Sequence, residues 1–129
     1  MHLKVLQYMA VGLLCSRLAA PSMAGDASVA KIHMTANKKF VPATVTIKVG
    51  DAVEWIADDP FHQHVVTTDA LQVEDRKLVQ TPSGAKPFTS GLIEPGGSFR
   101  YRFTIPGTYK YVCPPHEQSN MMGTIIVTP

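Results

Sequence analysis

Cys113, His116 and Met121 fall within one short segment, Tyr111-Val-Cys-Pro-Pro-His-Glu-Gln-Ser-Asn-Met-Met-Gly123. They offer a thiolate, an imidazole and a thioether, and an earlier histidine, His64, can supply a second imidazole. Two His and one Cys in a trigonal set, with a weak axial Met, is the donor pattern of an electron-transferring copper site. Soft sulfur favours Cu(I), imidazole suits both oxidation states, and a geometry acceptable to both keeps reorganisation small. This chemistry points to a one-electron carrier and not to an enzyme.

The other chemical signals are thin. The sequence contains no Gly-rich phosphate loop and no catalytic triad motif. Asp58-Asp59 is the closest acidic pair, and paired acids can serve acid–base chemistry. No nucleophile or second carboxylate cluster accompanies it, so it reads as a solvated turn. His33, on the strand-like stretch Lys31–Thr35, reads as a structural or surface residue.

Residues 1–24 read as a secretory leader: a short basic start at Lys4, an apolar run from Val5 to Leu14, and Ser22-Met-Ala24 as a small-x-small cleavage site. The run is about half of the roughly 20 apolar residues needed to span a bilayer, so membrane insertion of the mature chain is not expected. The whole chain has 12 basic and 10 acidic residues, and the leader holds Lys4 and Arg17 and no acid. The mature chain is therefore near neutral, which removes the electrostatic argument for nucleic-acid binding. Of the 2 cysteines only Cys113 remains beyond the leader. A lone thiol in an oxidising compartment is a liability unless something occupies it, and with His116 and Met121 nearby a metal is the natural occupant.

Residues 25–129 must position these groups, and they read as a single domain of strands. Thr44–Val49 alternates, with Val45, Ile47 and Val49 on one face. Gly50-Asp51 then turns the chain into Ala52–Ile56, which carries Trp55 inward. Phe99, Tyr101 and Phe103 share a face in Ser98–Phe103, and Pro106-Gly107 leads into Thr108–Cys113. Gly123–Thr128 is the last strand, with Ile125 and Val127 inward. Short strands between Gly and Pro turns predict an all-β sandwich or barrel. Thr68–Pro87 lacks any sustained period and reads as a long crossing connection with one helical turn. Cys113 closes one strand and Met122-Gly123 opens the next, so the loop between them must fold back and bring its donors together.

The pattern Cys113-x2-His116-x4-Met121-x-Gly123 resembles the ligand loop of the cupredoxins, in its plastocyanin-like form. Phe40-Val-Pro42, Val49-Gly-Asp-Ala-Val-Glu-Trp55, His64-x-Val66, Phe88-Thr-Ser-Gly91, Pro95-Gly96 and Pro106-Gly-Thr-Tyr109 resemble family motifs in family order. The resemblance implies a Greek-key β-sandwich holding one type 1 copper, with His64, Cys113 and His116 as strong ligands and Met121 as the axial one. His62 competes with His64 in Pro60-Phe-His-Gln-His64, and the family pattern His-x-Val selects His64. Met122 competes with Met121, and Gly123 two places on selects Met121. The resemblance also implies that the Val65 N–H donates to the Cys113 sulfur, whereas Pro115 has no N–H to add. Asn37 is a candidate strand bridge beneath the site.

By the same resemblance, His116 reaches an apolar patch with Pro114, Pro115 and Phe61 as neighbours. The patch suits transient contact with a cytochrome, oxidase or dehydrogenase. A monomer exported to the periplasm or secreted is implied. The rival is a copper carrier or storage protein without electron-transfer turnover. A metal-free adhesive sandwich requires the donor spacing to be coincidence.

Overall fold

A computed structural model describes residues 26–129; the leader expected over residues 1–24 lies outside them. One sheet contains β1 (Val29–Met34), β2 (Phe40–Val41), β4 (Ala52–Ala57) and β5 (Ser98–Arg102), in the order β2-β1-β4-β5. The second contains β3 (Thr44–Lys48), β6 (Gly107–Val112) and β7 (Met122–Thr128), in the order β3-β7-β6. β1 and β4 run parallel, as do β3 and β7, while β4–β5 and β6–β7 are antiparallel. The chain thus crosses between the sheets from β2 to β3, from β3 to β4 and from β5 to β6, and the result is the expected all-β Greek-key sandwich.

Period-2 alternation sorts the side chains. Ile32, Met34, Val53, Trp55 and Phe103 are buried from one side, and Ile47, Tyr111, Ile125 and Val127 from the other. Trp55 joins the layers, its ring meeting Tyr111 edge-on at a centroid separation of 5.4 Å. Truncating such a fully buried Trp removes about 3–5 kcal/mol.

Two expectations are corrected here. Val49 is not inward: β3 stops at Lys48, and the turn through Gly50, at φ 96°, leaves Val49 exposed. The Asp51 carboxylate holds that turn by accepting the N–H groups of Lys48 and Ser28. Asn37 bridges no strands, because it lies exposed in the turn between β1 and β2. His33 is half-exposed and pairs with Asp58 at 2.5 Å.

The crossing connection carries one 3-10 turn, Arg76–Leu78, capped by the Asp75 carboxylate on the Lys77 N–H. Gln80 and Lys110 exchange both backbone hydrogen bonds, at 2.9 and 3.1 Å. The connection therefore covers part of the β6 edge, whose amides would otherwise stand open.

Candidate metal centre

The segment between β6 and β7 is a tight 3-10 fold over Pro114–Ser119. Pro114 and Pro115 suit its start, where N–H groups have no helical partner. Asn120 ends it in the left-handed region at φ 55°, and its N–H bonds to Glu117 O. The Cys113 N–H then bonds to Met121 O at 3.0 Å, so both ends of the loop meet. Glu117 anchors the outside of the loop by accepting the N–H groups of Glu74 and Asp75 at 3.1 and 2.8 Å. Lys39 Nζ donates to Ser119 O at 2.7 Å from the other side.

Gly123 is required for space. It faces Tyr111 across the β6–β7 ladder, and a Cβ there would stand 2.3 Å from the Tyr111 ring and hydroxyl. The x-Gly that follows Met121 is thus the place where a strand lies flat against a buried aromatic ring.

His64 arrives differently. It sits outside the named strands and exchanges backbone hydrogen bonds with Ile93 at 2.8 and 3.0 Å. The next residue, Val65, donates its N–H to Cys113 Sγ at 3.3 Å. The expected donor to the sulfur is therefore present.

Donor atoms of His64, Cys113 and His116 lie within 4.8 Å of one another. His64 Nδ1 is 3.9 Å from Cys113 Sγ, and His116 Nδ1 is 3.4 Å from it. Metal–nitrogen and metal–sulfur bonds of about 2.0 and 2.3 Å at 120° put the donor atoms about 3.7 Å apart. The two separations bracket that value, so a three-coordinate soft metal fits. Met121 is fully buried, and its N–H bonds to His116 O at 3.3 Å; Met122 is half-buried in β7. His62 is left outside the trio, with its ring centroid 5.6 Å from that of His116.

Burial pushes both ligand-side imidazoles below their ordinary value. For His64 the Asp59 carboxylate opposes this; for His116 the nearby His64, Lys38 and His62 add to it. Both rings are thus neutral and able to ligate at neutral pH. Burial raises the Cys113 thiol, with the Val65 N–H pulling the other way. A metal entering the site must displace that proton.

The solvated turn read at Asp58-Asp59 is wrong for Asp59. Its side chain is 0 % exposed, and Oδ2 accepts from His64 Nε2 at 3.0 Å and His62 Nδ1 at 2.7 Å. Oδ1 accepts the N–H groups of Phe61 and His62 at 2.8 and 3.3 Å. Burial disfavours the charge, yet these N–H donors outweigh it and hold the carboxyl at about 2. The available signal was Asp59-Pro60, a turn-initiating dipeptide whose carboxylate folds back on its own backbone.

Above the site, Phe61, His62, Leu92, Pro95, Pro115 and His116 line an open groove. Phe61 is 78 % and Leu92 63 % exposed, whereas His116 shows only 9 % of its surface. Leu92 and Glu117 also escaped the sequence reading, since an isolated Leu or Glu in a loop carries no periodic signal.

The described strands and the donor trio define a candidate copper site in a β-sandwich. The sequence profile of the copper-binding proteins of the plastocyanin/azurin family matches residues 27–128, and the chain belongs to that family. It is 34% identical to a chloroplastic plastocyanin of Tetradesmus obliquus over 109 residues, covering 82% of this chain and 72% of that protein. It is 27% identical over 119 residues to the copper-resistant cuproprotein CopI of Rubrivivax gelatinosus, covering 80% of this chain and 70% of CopI. Among solved structures, a mutant plastocyanin of fern superposes with a TM-score of 0.56 at 26% identity, over 77% of this chain and all of the fern protein. Copper is thus the cofactor.

Proposed function

We propose that this protein carries single electrons between redox proteins through one type 1 copper held by His64, Cys113 and His116, with Met121 as the axial ligand. The observation that carries the reading is the convergence of the three donors within 4.8 Å beneath a loop closed at both ends. Copper bound there supplies a one-electron couple. The chain contributes a thiolate that accepts one backbone N–H, from Val65, and two neutral imidazoles fixed before the metal arrives. Because the closed loop and the His64–Ile93 bridge impose this geometry, the ligands need not rearrange when the charge on the metal changes. His116 brings its ring edge to a groove flanked by exposed Phe61 and Leu92, apolar side chains suited to brief contact with a cytochrome, oxidase or dehydrogenase. The mature chain, residues 25–129, acts as an exported one-domain monomer with no reaction of its own.

The similarity to CopI favours a second reading, copper carriage as part of resistance. Copper titration followed by stopped-flow oxidation and reduction separates the two. An electron carrier turns intensely blue and exchanges electrons rapidly with a cytochrome while retaining its metal. A carrier of the ion surrenders copper to a chelator or acceptor protein and exchanges electrons slowly.

A further inference from the structure

We infer that Asp59 is a positioning residue for the copper centre: its carboxylate holds His64 with Nε2 protonated and Nδ1 open toward Cys113, and its buried negative charge favours oxidised over reduced copper. The inference rests on the type 1 copper reading and adds a residue to it.

The geometry separates two jobs. Oδ1 serves the backbone, taking the Phe61 and His62 N–H groups, and this is an ordinary Asp turn. Oδ2 serves two rings, His64 Nε2 and His62 Nδ1. A carboxylate oxygen can only accept, so the His64 nitrogen facing it must carry a proton. The other nitrogen, Nδ1, then has its lone pair free, and Nδ1 is the atom 3.9 Å from Cys113 Sγ. A carboxylate behind a ligating imidazole also raises the basicity of that ligand.

The charge matters separately. Asp59 is fully buried, and its partners are imidazole and backbone N–H groups, with no Lys or Arg among them. A poorly screened negative charge one imidazole away stabilises the higher charge on the metal more than the lower. His62 shares Oδ2 and draws part of that charge toward the groove. Removing His62 should therefore leave more of the carboxylate to His64.

Asp59→Asn isolates the second job. Its Oδ1 can still hold the turn, while an NH2 group replaces the acceptor facing both rings, and the charge is gone. In the copper-loaded full chain, Asp59→Asn should stay blue and bind Cu(II) about 10–100-fold more weakly. Cu(I) binding should change little, so the reduction potential should rise by about 59 mV for each tenfold of that difference. Asp59→Glu, which restores the charge on a longer arm, should fall between, and His62→Ala should leave the potential unchanged or lower it. A purely structural Asp59 would shift neither the potential nor the Cu(II)-to-Cu(I) affinity ratio.

If Asp59→Asn does not fold, the wild type still decides. Nitrogen-15 NMR of the diamagnetic Cu(I) form should show a slowly exchanging proton on His64 Nε2. A blue Asp59→Asn protein with the wild-type potential, or a His64 Nε2 without a proton, overturns the inference and leaves the copper reading intact. A wild type that stays colourless with copper overturns both.

Discussion

Two segments deliver the copper donors, and they are built on opposite principles. Cys113–Met121 is a short return between adjacent strands, closed by its own backbone hydrogen bonds and pinned outside by Glu117 and Lys39. Asp59–His64 belongs to the long excursion between β4 and β5 and has no strand ladder of its own. It is held by one bridge to Ile93 and by a buried carboxylate. The first loop is local and backbone-driven, so it tolerates exposed polar residues such as Gln118. The second depends on a few side chains meeting at long range, so single substitutions there should be felt more sharply at the metal. A rigid site can thus be made from one segment fixed by the chain and another fixed by the core.

The largest test of this contrast removes a donor from each segment. Cys113→Ser and His64→Ala should each abolish the blue colour and weaken copper binding by more than the roughly 100-fold typical of losing a supporting contact. His62→Ala should keep the colour despite its place two residues from His64. Visible titration with Cu(II) reads all three, and a blue His64→Ala protein would move the upstream ligand to His62.

Gly123→Ala addresses the strand beneath the local loop. The new methyl would overlap the Tyr111 ring, so denaturant unfolding should show a loss of about 1–3 kcal/mol, characteristic of overpacking. Unchanged stability would mean that Tyr111 has room to move. Next in size is Met121→Leu, which should keep the blue band and raise the potential, because hydrocarbon replaces a thioether donor. If Met122→Leu does so instead, the register of the axial ligand shifts by one.

A pH series probes both segments. His64 and His116 are depressed in the fold relative to their ordinary 6.5, so the unfolded chain binds their protons more readily. Stability of the metal-free protein should be full above that value and decline as pH falls through and below it. Asp59, lowered from 3.8 to about 2, withdraws a further contribution as pH falls across that lower interval. Urea unfolding at successive pH values should show both declines, and Asp59→Asn should lack the second. The smallest effect belongs to Glu117→Ala, which leaves two exposed N–H groups to water. It should cost about 1 kcal/mol in unfolding measurements and leave the colour unchanged.

The strands were legible because their side chains alternate and their turns carry Gly and Pro, as in Ala52–Ala57 and Ser98–Arg102. Val49 was misread because alternation does not say where a strand ends; the turn through Gly50 decided that. Asn37 looked suited to bridging, but nothing local reveals that it lies in an exposed turn.

Within the metal centre, sequence alone determined the local half. Cys113 and His116 lie so close along the chain that a short loop joining two antiparallel strands gathers them, and the donor types then point to the metal. The distance of His64 from Cys113, the Val65 N–H on the sulfur and the burial of Asp59 were decided by the packing of β4, β5 and the Ile93 bridge. Spacing along a chain encodes proximity only while the intervening segment is short. Beyond that, proximity belongs to the core, and whether a carboxylate faces water or a ligating imidazole is settled only when the two sheets close.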